Sequence, residues 1–244
     1  MNLRARFALL ISLFLIAFFV YYLTSKPQLN GEYASFGVPI PTSYPLLGID
    51  VSHYQGNINW QQVKNTKHNQ DSIQFIFIKA SEGVTLKDDQ LDNNTAGAEQ
   101  VGLDFGCYHF FIPSVGAKAQ AAFFCQNIQE KKYSLKPVLD LEFDGDFTND
   151  RLQDSIMVFL NEVELRIGDR PILYTYSNFY KTHDLKDLAN ELFWIAQYGV
   201  HCDLMKQDNV QAWQFSEKGT VSGIEGYVDL NLGKSSFFNL LKKK

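Results

Sequence analysis

Only three cysteines occur in 244 residues, Cys107, Cys125 and Cys202. That is too few for a disulfide scaffold, and they lack the paired spacing of a zinc site. Cys107 and Cys125 are left open as a pair for an oxidising compartment. Basic charge is short as well: 22 Lys and Arg stand against 27 Asp and Glu, a net of −5. Acid, in turn, is missing from residues 1–26, which hold Arg4, Arg6 and Lys26. Without that segment 19 basic side chains face 27 acidic ones, a net of −8. Nucleic-acid binders show the opposite balance, so that class is set aside. Internal repeats and low-complexity tracts are absent too. What is abundant is apolar surface, at 45% of residues. A chain this apolar buries a full core, which excludes intrinsic disorder, collagen and coiled coil.

The apolar content is uneven. Phe7–Leu23 reads FALLISLFLIAFFVYYL, with Ser12 its one polar residue and no charge. Seventeen residues make about 26 Å of helix, near the lower limit for a hydrocarbon core of about 30 Å. Arg4 and Arg6 precede it, which favours a cytoplasmic N-terminus and an exported remainder. No small-x-small cleavage site follows. Residues 1–23 are therefore expected to be a signal anchor, with a cleaved signal peptide, hence secretion, as the alternative. Residues 24–45 hold four of the seven prolines, Pro27, Pro39, Pro41 and Pro45. They lack periodicity and are expected to form an extended linker. The substrate then lies outside the cytoplasm, at the periplasm or cell surface, where nucleotide cofactors are scarce.

From Pro45 onward, apolar runs of strand length recur. Strands are expected near Leu46–Val51, Ile73–Ala80, Asp104–Phe111, Pro137–Glu142, Ile172–Tyr176, Phe193–Gln197, Gln211–Phe215 and Tyr227–Leu230. Between them, Asp150–Ile167 puts Leu152, Ile156, Phe159, Leu160, Val163 and Ile167 on one helical face and stops at Gly168. Further helices are expected over 117–129 and 93–101. The later connections are short. Eight strands, helix-linked in the first half, predict an α/β fold, a barrel of the (β/α) kind that is irregular in its later part. Residues 46–244 then form one barrel.

Acidic residues mark the strand ends. Asp50 ends the first strand, Glu82 follows the second, Asp140 and Glu142 end the fourth, and Asp229 lies in the eighth. Side chains alternate along a strand. Leu47, Ile49 and Val51 thus share one face, and Gly48, Asp50 and Ser52 the other. Leu139, Leu141 and Phe143 oppose Val138, Asp140 and Glu142. Val228, Leu230 and Leu232 oppose Tyr227, Asp229 and Asn231. In each strand the apolar face suits helix packing, and the opposite face sends its acids to the barrel mouth, where such barrels build active sites. A lone strand-end acid is more often a cap or a turn residue. Several acids with one parity at one pole weaken that reading. Asp140 and Glu142 are the sharpest pair, because neighbouring carboxylates resist joint ionisation and one keeps its proton. An acid beside an ionised carboxylate suits glycosidic bond cleavage. A divalent cation is the alternative for the pair, but His53, His68, His109, His183 and His201 are scattered away from ligand spacing.

Aromatic residues lie near the same strand ends: Tyr54, Tyr108, Phe110, Tyr174, Trp194, Tyr198 and Trp213. Their faces pack on sugar rings, and tyrosine and tryptophan tips bond hydroxyls. Core filling is the bland reading, favoured for Phe110 and evenly weighed against sugar packing for Trp213. Gln55, Gln197 and Gln214 also occupy or follow strand ends, as polyol-binding amides or as surface groups.

The blocks GIDVSHYQGNINWQQVK at 48–64, FIFIKASEG at 75–83, GLDFGCYHFF at 102–111, PVLDLE at 137–142, ILYTY at 172–176, FWIAQY at 193–198 and WQFSEKGTVSGIEGYVDLN at 213–231 resemble glycoside hydrolase family 25, the Chalaropsis-type lysozymes. The resemblance implies a TIM-like barrel of eight strands and fewer than eight helices. It implies hydrolysis of the β-1,4 bond between N-acetylmuramic acid and N-acetylglucosamine in peptidoglycan. Glu142 would be the general acid. Asp140 would orient the substrate's 2-acetamido group or stabilise the cationic intermediate, and Asp50 and Asp229 would complete the acidic floor. Glu82 and Tyr174 match cleft-lining positions. The substrate-binding set is then Glu82, Tyr174, Tyr54, Tyr108, Trp194, Gln197, Trp213 and Gln214. Tyr54 stands where Trp is common and Ser81 where Thr is usual, which leaves the acids intact.

The expected partners are peptidoglycan strands and, through the N-terminal helix, a membrane. Nucleic acid, metal and cofactor are not expected, and a monomer is. Three other readings compete: a non-catalytic glycan-binding module, a chitinase-like hexosaminidase, and a cysteine hydrolase built on Cys107 beside Tyr108 and His109. The first would be marked by a lost acid, and all four acids are present.

Overall fold

A computed structural model describes residues 35–41, 43–68 and 71–237. Residues 1–23, where the membrane anchor is expected, lie outside them. Among the described residues no helix is long and apolar enough to cross a membrane.

Eight strands form a closed ring: β1 (Leu46–Val51), β2 (Asp71–Glu82), β3 (Asp104–Phe110), β4 (Val138–Asp140), β5 (Ile172–Tyr176), β6 (Phe193–Ala196), β7 (Val210–Gly219) and β8 (Val228–Gly233). β1 to β7 pair in parallel, each with the next. β8 runs the other way and is antiparallel to both β7 and β1. An antiparallel neighbour needs no crossover helix, so the short link from β7 to β8 suffices. Among the described residues five α-helices accompany the ring: α1 (Trp60–Asn65), α2 (Leu91–Gln100), α3 (Ala117–Ile128), α4 (Asn149–Ile167) and α5 (Ser177–Thr182). The expected irregular barrel with fewer than eight helices is the observed architecture. The reversal of β8 was not foreseen, since apolar alternation carries no strand direction.

α4 follows its sequence pattern. Thr148 caps it by accepting from the Arg151 amide, and Gly168 ends it at φ 77°. Leu152, Ile156, Phe159, Leu160 and Val163 are buried against the barrel. Phe159 packs on Phe111, Phe124 and His109, joining α3, α4 and β3.

The parity reading holds in three dimensions. Leu47, Ile49, Val51, Leu139, Leu141, Leu230 and Leu232 belong to the outer layer between sheet and helices. Phe75, Phe77, Val138, Ile172, Tyr174 and Trp194 fill the inside. Phe75 fits because Gly48 opposes it; a Cβ there would fall 2.4 Å from its ring. Phe77 stacks on Trp194 at 4.7 Å between centroids. These rings close the barrel below the acids.

One expectation needs correcting. Residues 35–41 were expected within an extended linker. Instead Phe36 and Ile40 are buried in the outer layer, and the Thr220 amide donates to the Phe36 carbonyl at 2.8 Å. Tyr44 packs edge-on against Trp213. The prolines break periodicity without keeping the apolar residues between them in water.

Candidate active site

At the mouth, the C-terminal ends of β1 to β7 meet the N-terminal end of β8. The reversal of β8 therefore puts Asp229, near its start, level with Asp50, near the end of β1; their Cα positions are direct partners. Asp50, Asp140, Glu142 and Asp229 line one cleft with Tyr108, Tyr174 and Trp194. Gln214, Tyr176 and Tyr198 complete it.

Asp50 is the most bonded of the four. Its Oδ2 accepts from Asn231 Nδ2 at 2.7 Å and from Gln214 Nε2 at 3.0 Å. Both amides are themselves held. Trp194 Nε1 donates to Asn231 Oδ1 at 2.9 Å, and Tyr174 donates to Gln214 Oε1 at 2.8 Å. Burial raises the Asp50 carboxyl to about 6, with these hydrogen bonds opposing the rise. Asp229 rises further, to about 8, through burial and then repulsion from Asp50 and Glu217. Asp229 keeps its proton and donates it to Asp50.

Asp140 is 6% exposed, and its buried Oδ1 has no hydrogen-bond partner among the described residues. Burial, then the charge of Glu142, push its carboxyl well above the usual range. Glu142 is partly exposed at the cleft edge. Burial and the charge of Asp50 raise it too, while Lys79 and a hydrogen bond from Tyr176 oppose the shift. Tyr198 in turn donates to Tyr176. Tyr108 and Tyr174 are held neutral by burial, so they remain donors.

Lys79 is the cation set among these acids, and sequence reasoning did not single it out. It is buried, its Nζ donates to Glu82 Oε2 at 2.8 Å and lies 5.0 Å from the centre of the Phe110 ring. Simple alternation would put Lys79 and Glu82 on opposite faces. A register shift between Lys79 and Ser81 adds one residue to β2, which restores them to the same side.

The predicted set thus divides. The four acids, Tyr108, Tyr174, Trp194 and Gln214 are brought together. Glu82 stands beside the cleft, bound to Lys79. Tyr54 is 82% exposed on the turn after β1, its ring tilted against His53. Gln197 belongs to an adjoining groove. Trp213 lies on the opposite face of β7, 1% exposed, with Nε1 donating to the Gln197 carbonyl at 2.6 Å. Its parity follows Phe215, not Gln214, so it fills the outer layer and is removed from the substrate set. Tyr176 and Asn231 were missed, although each shares the inward parity of a named residue, Tyr174 and Asp229.

Cys107, Cys125 and Cys202 are buried free thiols, so no Cys107–Cys125 disulfide forms. Burial pushes Cys107 to about 12. His109 turns into the outer layer between Ser81 Oγ at 2.9 Å and Gln120 Oε1 at 3.3 Å. Neither group reaches the cleft, which removes the cysteine-hydrolase reading.

The family model for glycosyl hydrolases family 25 matches residues 49–224. The uncharacterized protein YegX of Escherichia coli K12 is 38% identical over 203 residues, spanning 81% of this chain and 73% of that protein. Lysozyme M1 of Streptomyces globisporus is 32% identical over 211 residues, spanning 80% and 70%. Among solved structures, a bacterial lysozyme from Streptomyces coelicolor superposes with a TM-score of 0.72 at 30% identity, covering 81% of this chain and 97% of that one. A family 25 glycosyl hydrolase from Bacillus anthracis gives 0.70 at 28% identity, covering 80% and 93%.

Proposed function

The chain belongs to glycosyl hydrolases family 25 and is a glycoside hydrolase, and from that premise we propose that it is a muramidase with Glu142 as general acid. The bond cleaved is the β-1,4 link from C1 of N-acetylmuramic acid to O4 of N-acetylglucosamine in peptidoglycan. The observation that carries this reading is the convergence of Asp50, Asp140, Glu142 and Asp229 on one cleft, with Glu142 at its accessible edge.

Burial raises both Asp140 and Glu142, and crowded carboxyls resist joint ionisation, so the pair holds one proton toward neutral pH; with it on Glu142, Asp140 is the ionised partner. Glu142 gives its proton to the glycosidic oxygen as the C1–O bond breaks. Asp140 Oδ1, which has no hydrogen-bond partner among the described residues, accepts from the substrate's 2-acetamido N–H. The acetamido oxygen then closes on C1, and the intermediate's positive charge is met by Asp140. Water next adds at C1, giving its proton to the Glu142 carboxylate and reopening the ring. Asp50, clamped by Asn231 and Gln214, fixes the floor.

Glu142→Gln removes the proton and keeps the shape. A loss of about 10²- to 10⁴-fold in kcat is expected, measured as reducing ends released from purified peptidoglycan. Undiminished release would overturn the role of Glu142. Mass spectrometry of the wild-type digest identifies the bond, and products ending in reducing N-acetylglucosamine would replace the muramidase assignment.

The apolar run Phe7–Leu23 supports a membrane tether that holds the barrel outside the cytoplasm beside the wall. The excess acid gives no electrostatic pull toward an anionic wall, whereas a tether raises local concentration directly.

A further inference from the structure

The proposed mechanism uses the acids of the mouth and leaves out the cation buried beside them. Period two along β2 puts Lys79 on the face of Phe75 and Phe77. Its Cα pairs with that of Tyr108, and Tyr108 pairs with Val138. Glu82, past the extra residue, pairs with Phe110, and Phe110 with Asp140. Lys79 therefore stands one inward row below Asp140 and two strands away.

Packing alone does not account for an ammonium there. Burying a charge is costly, and a buried ion pair stabilises little against apolar groups of the same volume. Lys79 Nζ carries three protons. Among the described residues one acceptor meets them, Glu82 Oε2 at 2.8 Å, and the centre of the Phe110 ring lies 5.0 Å from the nitrogen. Glu82 is partly exposed, so water weakens its hold on the charge. Among the described residues no Lys or Arg lines the cleft itself. Lys79 is thus placed to act on the acids through the wall.

We infer that Lys79 is a positioning residue for the proton of the Asp140–Glu142 pair, and that Lys79 and Glu82 together set the pH window of turnover. The inference rests on the muramidase reading, in which that pair shares one proton. Asp140 faces Glu142 on its own strand, Asp50 on β1 and Asp229 on β8. Its other titratable neighbours in the cleft are phenols: Tyr108 on β3, Tyr174 and Tyr176 on β5, and Tyr198 after β6. All four phenols are held neutral by burial. From β2 come Lys79 and Glu82. Burial, then Glu142 and Asp50, raise Asp140; Lys79 opposes the rise and Glu82 adds to it. Burial, then Asp50, raise Glu142, and Lys79 opposes again. The lysine favours ionisation of one carboxyl while its partner keeps the proton, and Glu82 restrains the lysine.

The test is the pH dependence of kcat/KM for reducing ends released from purified peptidoglycan. The acid limb reports the first ionisation of the pair, and the alkaline limb the loss of its remaining proton. Lys79→Met removes the charge and keeps the length. Both limbs are expected to move to higher pH, by about 0.5–1.5 units. Glu82→Gln leaves Lys79 uncompensated and removes a charge that raises Asp140, so the acid limb is expected to move to lower pH. A merely structural role would lower activity at every pH and would not displace the two variants in opposite directions. Thermal melts check that both fold, and Glu82→Gln, at the partly exposed partner, decides alone should Lys79→Met not fold. Limbs that stay in place in the folded variants overturn the inference. Carbon-13 carboxyl titrations of Asp140 and Glu142 are expected to show the same displacements without turnover. A wild type that releases nothing from peptidoglycan therefore overturns the muramidase reading, while unmoved carboxyl titrations overturn the role of Lys79.

Discussion

At the residue scale the mouth is a balance of buried carboxyls. Asp50 and Asp229 titrate near 6 and 8 in the fold, against 3.8 ordinarily. A carboxyl raised on folding binds its proton more tightly in the native state. Its contribution to stability is complete below pH 4 and is lost as pH rises, through about 6 for Asp50 and about 8 for Asp229. Asp229→Asn removes the charge that high pH would force into the cleft. Its Tm should match the wild type near pH 4 and exceed it at pH 9, by on the order of 2 kcal/mol or roughly 4–8 °C. Thermal melts across that range check it, and a gap that is constant with pH would contradict the assignment. Peptidoglycan turnover should fall in the same variant, since Asp50 loses its acidic proton donor.

At the element scale the barrel depends on small residues facing large ones. Gly48 lies beneath Asp50 and against Phe75, where an added Cβ meets ring atoms at 2.4 Å. Gly48→Ala should therefore destabilise by about 1–3 kcal/mol, seen as a lower urea midpoint. An unchanged midpoint would show that Phe75 can move aside. Much of this layer was legible in sequence. Period-two alternation placed Asp50, Asp140 and Asp229 inward and Leu47, Leu139 and Leu230 outward, because one-residue alternation fixes the face. What alternation cannot show is where it breaks. The extra residue after Lys79 rephases β2 and brings Glu82 back to the lysine. Trp213 lay next to an inward residue, so proximity in sequence misled where parity would have served. Phe36 and Ile40 read as linker because the few apolar residues scattered between prolines show no period, yet they are buried all the same.

At the scale of the whole molecule, the proposed chemistry and the proposed tether fall to separate parts of the chain. The cleft is built within β1 to β8, whereas the proposed tether lies in residues 1–23. Deleting residues 1–26 should leave kcat on soluble peptidoglycan fragments within about twofold and lower wall turnover in cells, as effective concentration drops. Assays on fragments and on growing cells separate the two. Equal function in cells would count against the tether. The acid excess is likewise divided. A few carboxyls do the proposed chemistry in the cleft, and most of the rest are ordinary solvated surface, such as Asp203 beside Lys206.

The reversal of the last strand also sets the order in which this enzyme can come into being. Asp50 lies in the first strand of the ring and Asp229 in its last, and they are direct neighbours in the finished ring. During synthesis β1 keeps one unpaired edge until β8 arrives. Long-range closure of this kind slows folding. It also means that the clamp on Asp50 is incomplete until Asn231 has emerged. The cleft of this glycoside hydrolase is thereby complete only once almost the whole barrel sequence has been synthesised.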